Sequence, residues 1–458
     1  MRRHLLAAAL CACAALFLPG VAAAADFSPG SPGTGDPYYP LAGNGGYDVG
    51  HYSLKLTYQP AENHLAGRAT IRATATQDLS SFNLDLRGFA VKRVLVDGVE
   101  ATFSRDGQEL TITPATGIVN GTTFEVTVRY AGVPEIVGDP DGAIEGWVPT
   151  DDGAFVVGEP QGSPGWYPAN DEPADKATFD FAVTVPKGLT VMANGVLLSH
   201  KSANGRTTWR WRETDPMAPY LATATLGRFD LTEYEIDGIP AYVAVDPTLP
   251  KGQVLTKLPA ITRFFIDLYG EYPFNAVGAV VDDAKVVGYA LETQTKPVFE
   301  VMPDEWTLVH EIAHMWYGDS VTLTDWPDIW LHEGFATWSN WIWSERKGTK
   351  SAHQQFKQYL NTPAQADWLW SVPPGDVGGP AFLFEWSVYV RGAMTLQALR
   401  EKIGDGAFFG VMRDWAQDNR YGTVTTAQFV ALAEQESGMD LDAFFRVWLY
   451  EPGKPVAW

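Results

Sequence analysis

From Tyr47 to about Phe229 apolar and polar positions alternate along the chain with the two-residue period of strands. Phe82, Leu84 and Leu86 alternate with polar neighbours, and so do Phe124, Val126, Val128 and Tyr130, while Asp97-Gly98 and Asp106-Gly107 offer hairpin turns. The pattern predicts an all-β domain over residues 47–235. After about residue 240 the period becomes helical. Apolar residues recur at helix spacing through Leu258–Leu268, Leu308–Trp316, Trp330–Trp343, Phe384–Leu399, Phe408–Trp415, Phe429–Leu432 and Phe444–Leu449. A mainly helical domain over 236–458 is therefore expected, which makes the whole a multidomain α+β protein. Residues 26–46, rich in Pro and Gly, read as an irregular lead-in.

The start of the chain has a different pattern. A short basic stretch, Met1-Arg2-Arg3-His4, precedes an unbroken apolar run from Leu5 to Leu18, then Pro19-Gly20 and the small residues Val21 to Ala25. This predicts a secretory signal over 1–25, too short to span a membrane, with the mature protein secreted or periplasmic. Cys11 and Cys13 fall inside it; as a lipoprotein box they are poorly placed, within the apolar run. Beyond residue 25 no cysteine remains, which excludes a thiol protease and cysteine-ligated zinc. No transmembrane segment is expected in the mature chain. Arg2 and Arg3 leave with the signal, so 31 basic residues face 55 acidic ones, a net charge of −24. Such a chain does not favour nucleic acid or an anionic membrane as partner.

The chemistry lies in His310-Glu311-Ile312-Ala313-His314. Histidines four apart share one helix face and can hold one ion together. Glu311 is turned about 100° round the helix, out of the ligand set but placed to serve an attacking water as general base. After eighteen intervening residues comes Glu333, in Trp330-Leu331-His332-Glu333-Gly334-Phe335-Ala336. Pro327 and Asp328 mark the start of a helix that ends near Gly348, so Glu333 projects from its first turns and can supply a third ligand. Two His and one Glu leave a fourth zinc position open, the pattern of catalytic sites.

With these motifs the chain resembles the aminopeptidase N family of gluzincin zinc metallopeptidases, whose signature is H-E-x-x-H, eighteen residues, then the Glu of W-L-x-E-G-F-A. His332 stands where that family usually has Asn, and is read as a supporting or surface residue. Gly288-Tyr289-Ala290-Leu291-Glu292-Thr293 resembles the family's G-x-M-E-N segment, with Leu and Thr departing from its Met and Asn. The resemblance implies that Glu292 pairs with the substrate's α-ammonium. Gly158-Glu159-Pro160, upstream of Pro168-Ala169-Asn170-Asp171-Glu172-Pro173, resembles F-E-P…P-C-F-D-E-P without its usual arginine, and implies Glu159 as a second amine-binding carboxylate. Tyr389-Val390-Arg391-Gly392-Ala393 is similar to Y-x-K-G-A, which implies that Tyr389 stabilises the oxyanion. The family also implies a saddle-like β domain followed by a thermolysin-like catalytic domain. Its large helical C-terminal domain has no counterpart in the 69 residues after Tyr389, so a more open cleft is expected.

The expected activity is zinc-dependent hydrolysis of N-terminal residues from peptides, with one Zn²⁺ per chain on His310, His314 and Glu333. A zincin endopeptidase would use the same metal core without the amine clamp. A non-catalytic peptide-binding module would have lost the ligands, Glu311 or Tyr389, and all of them are present.

Overall fold

A computed structural model describes residues 26–250 and 252–456. The expected signal, 1–25, lies outside the described residues. The β-rich part is built around an eight-stranded sheet. Its spatial order is Val196–Ala203, Arg206–Met217, Ala177–Pro186, Tyr47–Gln59, His64–Ala75, Thr123–Gly132, Ala90–Val96 and Val99–Glu100. All neighbours are antiparallel except Ala177–Pro186 with Tyr47–Gln59. The burial of these strands alternates as the sequence does, one face packed and one exposed.

A five-stranded sheet, ordered Ile136–Gly138, Ile144–Pro149, Ala154–Val157, Ala224–Gly227 and Thr190–Ala193, leads directly into Gly158-Glu159. The lead-in is more than a tether. Ser28–Pro29 pairs with Leu79–Asp85, and the Asp36 carboxylate accepts a 2.7 Å hydrogen bond from the Trp326 amide, next to the start of the Glu333 helix.

The second part is not purely helical. Asp230–Ile236, Ile239–Val245, Val277–Val281 and Val298–Phe299 form a four-stranded sheet, and the first hairpin straddles the boundary expected at 235/236. Val277–Val281 is buried throughout, so it carries no alternation to separate it from a helix. Eight helices follow in order among the described residues: α1 Leu258–Tyr269, α2 Glu305–His314, α3 Trp330–Arg346, α4 Ala352–Leu360, α5 Asp367–Trp370, α6 Trp386–Asp418, α7 Thr426–Ser437 and α8 Asp442–Phe445. The two apolar runs expected at 384–399 and 408–415 are joined in α6, which breaks its helical backbone at Gly404. No helix among the described residues is long and apolar enough to cross a membrane.

Candidate active site

Helix α2 begins at Asp304, whose side chain accepts from the Thr307 amide at 2.8 Å and caps the free N–H groups. Two turns on, His310 and His314 stand on one face with ring centroids 4.8 Å apart. Helix α3 crosses beside it, and Glu333 projects from its first turn, its amide bonded to Ile329 O. Glu333 Oε2 lies 3.0 Å from His310 Nε2 and 3.7 Å from His314 Nε2.

The other ring nitrogens are also engaged. His314 Nδ1 is 3.0 Å from Tyr317 O, so it carries the proton and donates. His310 Nδ1 lies 3.4 Å from the Asn340 amide. That amide is best oriented with its nitrogen donating to Trp306 O and its oxygen accepting from Trp306 Nε1, which puts the oxygen towards His310 Nδ1. With the Nδ1 proton so placed, each ring in its neutral form presents a bare Nε2 towards Glu333, the tautomer a metal ligand needs. His310, His314 and Glu333 thus form a group whose ligand atoms lie within 4.8 Å of one another. Glu292, Glu311 and His314 meet the same limit, a trio of one imidazole and two carboxylates that shares His314 with the first group.

Glycines set the packing behind Glu333. At the crossing of α3 and α6 a Cβ on Gly334 would lie 2.9 Å from the Gly392 backbone, and one on Gly392 would lie 2.8 Å from Gly334 Cα. This close approach brings Tyr389 of α6 over the histidines, its ring 5.9 Å from that of His310 and nearly parallel. Arg391, expected beside it, has a separate task. It is fully buried and donates to the carbonyls of Trp448, Val447 and Glu451, fastening α6 to the last helical turn.

Glu159 and Glu292 reach the same cavity from outside the helices. The Glu292 loop is closed by reciprocal Leu291–Val298 backbone bonds and by Thr293 Oγ1 donating to Lys296 O at 2.6 Å. It is also held from the β-rich part: Asn194 Nδ2 donates to Gln294 O at 2.8 Å, and the Gly195 amide to Thr295 Oγ1 at 2.9 Å. Thr295 takes a φ of 71°, rare for a β-branched residue. Lys296, buried over Trp211, donates to Gly195 O.

The cavity measures about 800 Å³ and takes in Glu159, Glu292, Glu311, Glu333, both histidines and Tyr389, with no Lys or Arg in its lining. Burial, then the charge of neighbouring carboxylates, pushes Glu159 well above the usual carboxylate range. Glu311 and Glu292 are raised by burial as well, against the pull of His314. Burial also pushes Glu333 upward, but His314 and His310 outweigh it and hold this carboxyl low. Burial works against a charged His314, yet Glu292, Glu333 and Glu311 raise it well above the ordinary imidazole value. The cleft is an electrostatic trap short of cations.

Sequence reasoning missed Asn340 and the aromatic wall of Trp306, Tyr359, Phe384 and Trp386. Asn340 was within reach of it, seven residues after Glu333 and so two turns along the same face of α3. His332 is not at the surface. It is fully buried, its Nε2 accepts from the Leu323 amide at 2.8 Å, and burial lowers its pKa to about 3, which makes it a neutral brace for the turn before α3.

Fold and cleft together define a class, the two-domain metallopeptidases with a β-rich unit ahead of a helical one. The chain belongs to peptidase family M1: the model of the M1 N-terminal domain matches residues 49–221 and that of the M1 peptidase domain residues 292–448. An M1 zinc metallopeptidase from Deinococcus radiodurans is 30% identical with a TM-score of 0.85, over 93% of this chain and 99% of that one. A variant of that enzyme, solved bound to a Tyr-Ser-Ala substrate, is 29% identical over 93% of this chain and 99% of its own, with a TM-score of 0.85. Aminopeptidase N of Streptomyces lividans is 28% identical over 62% of this chain, and a leucyl aminopeptidase of Saccharolobus solfataricus 25% over 63%. The chain covers only 36% and 40% of the length of those two relatives.

Proposed function

We propose that this chain is an exported zinc-dependent aminopeptidase that removes N-terminal residues from peptides. The observation that carries the reading is the cavity itself, where four buried carboxylates and two imidazoles converge without a Lys or Arg. That arrangement calls for two cationic guests, a metal ion and an ammonium group. His310, His314 and Glu333 would hold one zinc, since two bare imidazole nitrogens and a carboxylate oxygen are donors zinc takes, and three protein ligands leave a position free. When bound, zinc acidifies a water and polarises the scissile carbonyl.

The remaining work falls to the chain. Glu311, next to His310 on α2, takes the proton of the attacking water and returns it to the leaving amine. Tyr389 donates its hydroxyl to the carbonyl oxygen as negative charge develops there. Glu292 and Glu159 receive the substrate's α-ammonium, and that requirement selects a chain end over an internal bond. An endopeptidase would have no use for these two carboxylates. Export rests on the basic start, apolar run and small-residue end of residues 1–25.

The test is one peptide with its amino group free or acetylated, with and without 1,10-phenanthroline. Cleavage of the free peptide alone, abolished by the chelator and restored by Zn²⁺, is the expected result. Equal cleavage of both forms would replace the aminopeptidase with an endopeptidase, and full activity in metal-free protein would end the metal mechanism.

A further inference from the structure

The two helices that carry the proposed metal ligands run on past them, side by side. α2 and α3 are antiparallel: Glu333 lies beside His310 and His314, Asn340 beside Trp306, and Trp343 Nε1 donates to Glu305 at 2.9 Å. The steps from His314 to His310 to Trp306 on α2 therefore follow the same direction as those from Glu333 to Thr337 to Asn340 on α3. Glu292 stands at the start of this line, its carboxylate within 4.8 Å of the ligand atoms of Glu311 and His314. Trp306 stands at the far end, one turn beyond His310 and on the same face of α2.

On the aminopeptidase reading, on which this inference rests, a peptide with its ammonium at Glu292 and its first carbonyl at the metal continues towards Trp306. One helical turn is about 5.4 Å and an extended residue about 3.4 Å, so the residue after the scissile bond lies between His310 and Trp306. The cavity has walls of its own at this level. Trp306 forms one, Thr337 lies beside it on α3, and α4 supplies Gln355 and Tyr359. α4 is pinned to α3 here: Tyr359 stacks on Trp341 with ring centroids 5.7 Å apart and 11° between the planes, and Gln355 Nε2 donates to Trp341 O at 3.4 Å.

A lone exposed tryptophan is ordinary on a protein surface. Trp306 differs because it is 44% exposed and yet fixed at its polar edge, where Asn340 accepts from its Nε1 at 3.1 Å and donates to its carbonyl at 2.9 Å. Tyr359 is fixed as well, by its stack on Trp341. Two aromatic rings ordered before a ligand arrives make a ready contact surface, since little freedom is left to lose on binding. Trp306, Thr337, Gln355 and Tyr359 bring no charge of their own, which disfavours burial of a charged guest among them. We propose that this lobe receives the side chain of the peptide's second residue, and that Trp306 with Tyr359 selects a large apolar or aromatic one there.

Leucyl-phenylalaninamide and leucyl-glycinamide share a first residue and differ only at the second, so the ratio of their kcat/KM values reads the lobe. Wild type loaded with zinc should favour the phenylalanine amide at least about tenfold, the effect of burying part of an aromatic side chain. Trp306→Ala should bring the ratio to within about threefold of unity, and Tyr359→Ala should lower it in the same sense. Trp306 also touches Asn340, which faces His310, so its loss can slow both substrates. A disturbed metal centre slows both by the same factor and leaves the ratio where it was. Trp306→Phe keeps a ring without the N–H and should keep most of the preference. A wild-type ratio near one overturns the inference, and so does an unchanged ratio in both alanine variants. A shift confined to the first residue, read as phenylalanyl-glycinamide against alanyl-glycinamide, overturns it too by assigning the lobe to the other side of the scissile bond. If wild type releases leucine from neither amide, or cleaves the N-acetylated forms equally well, the aminopeptidase reading fails and this inference with it. Release of leucine without a second-residue preference fails the inference alone.

Discussion

The proposed metal end of the cleft and its proposed amine end are built in opposite ways. His310, Glu311, His314 and Glu333 fall within 24 consecutive residues, on two helices in direct contact. Behind them Phe335 packs on Tyr317, Trp330 and Phe429, and α3 meets α6 at Gly334 and Gly392. Glu159 and Glu292 lie 133 positions apart, one at the exit of a sheet and the other in a loop tethered by Asn194 and Lys296. One end is local and stiffened by dense aromatic packing. The other depends on a few polar contacts between distant segments. The contrast implies that damage at the metal end should appear in kcat, and damage at the amine end in recognition of the substrate.

The largest effect is expected at Glu311. Glu311→Gln keeps the shape but cannot accept a proton, so kcat should fall by about 10²–10⁴ while zinc content, measured by atomic emission, stays at wild type. If the variant loses zinc while still folded, Glu311 is a ligand and the division between the two ends fails at its centre. Next comes Tyr389→Phe, for which kcat should drop by about 10²–10³ with KM nearly unchanged, because the hydroxyl matters only as charge develops on the carbonyl oxygen. A near-normal kcat would return Tyr389 to simple stacking on His310.

The same contrast governs what could be read from the sequence. The convergence of His310, His314 and Glu333 was legible because helical periodicity places His310 beside His314, and Glu333 sits one turn into a helix with a clear start. The helices carrying it were legible for the same reason, down to α1, predicted over 258–268 and found over Leu258–Tyr269. The four-stranded sheet was not, because Val277–Val281 is buried on both faces and shows no alternation. The tethers of the amine end were invisible too. Asn194 meets Gln294 across a separation of 100 residues, and Lys296 meets Gly195 across 101, contacts that no local pattern encodes. His332, read as a supporting or surface residue, proves to be the former; the sequence left the two open because its partner, the Leu323 amide, precedes the helix on which periodicity was read.

Glu292→Ala should mark the amine end. Charge-assisted hydrogen bonds contribute about 1.5–3 kcal/mol, so kcat/KM on free amino termini should fall at least about tenfold, while an acetylated peptide remains as poor a substrate as before. Glu159→Ala should act the same way and more weakly. Two variants that instead lower kcat alone would merge the two ends into one catalytic unit.

The smallest effect is also the sharpest test of how the amine end is held. Asn194 is not among the residues that line the cavity, yet it bridges Leu221 O, the Thr223 amide and Gln294 O, two residues from Glu292. Asn194→Ala frees that loop and should raise KM for free amino termini about two- to tenfold, the worth of one neutral hydrogen bond, with kcat kept. Tm should fall as well, because buried carbonyls lose their donor. A fall in Tm alone would fit any buried Asn, so the comparison with Asn194→Asp carries the argument. Aspartate can still accept from the Thr223 amide but cannot donate to Gln294 O. If the loop is positioned through that donor, both variants should lose preference for free over acetylated termini. If only Asn194→Ala does, the contact to Thr223 holds the amine end, and the tether to Gln294 is incidental.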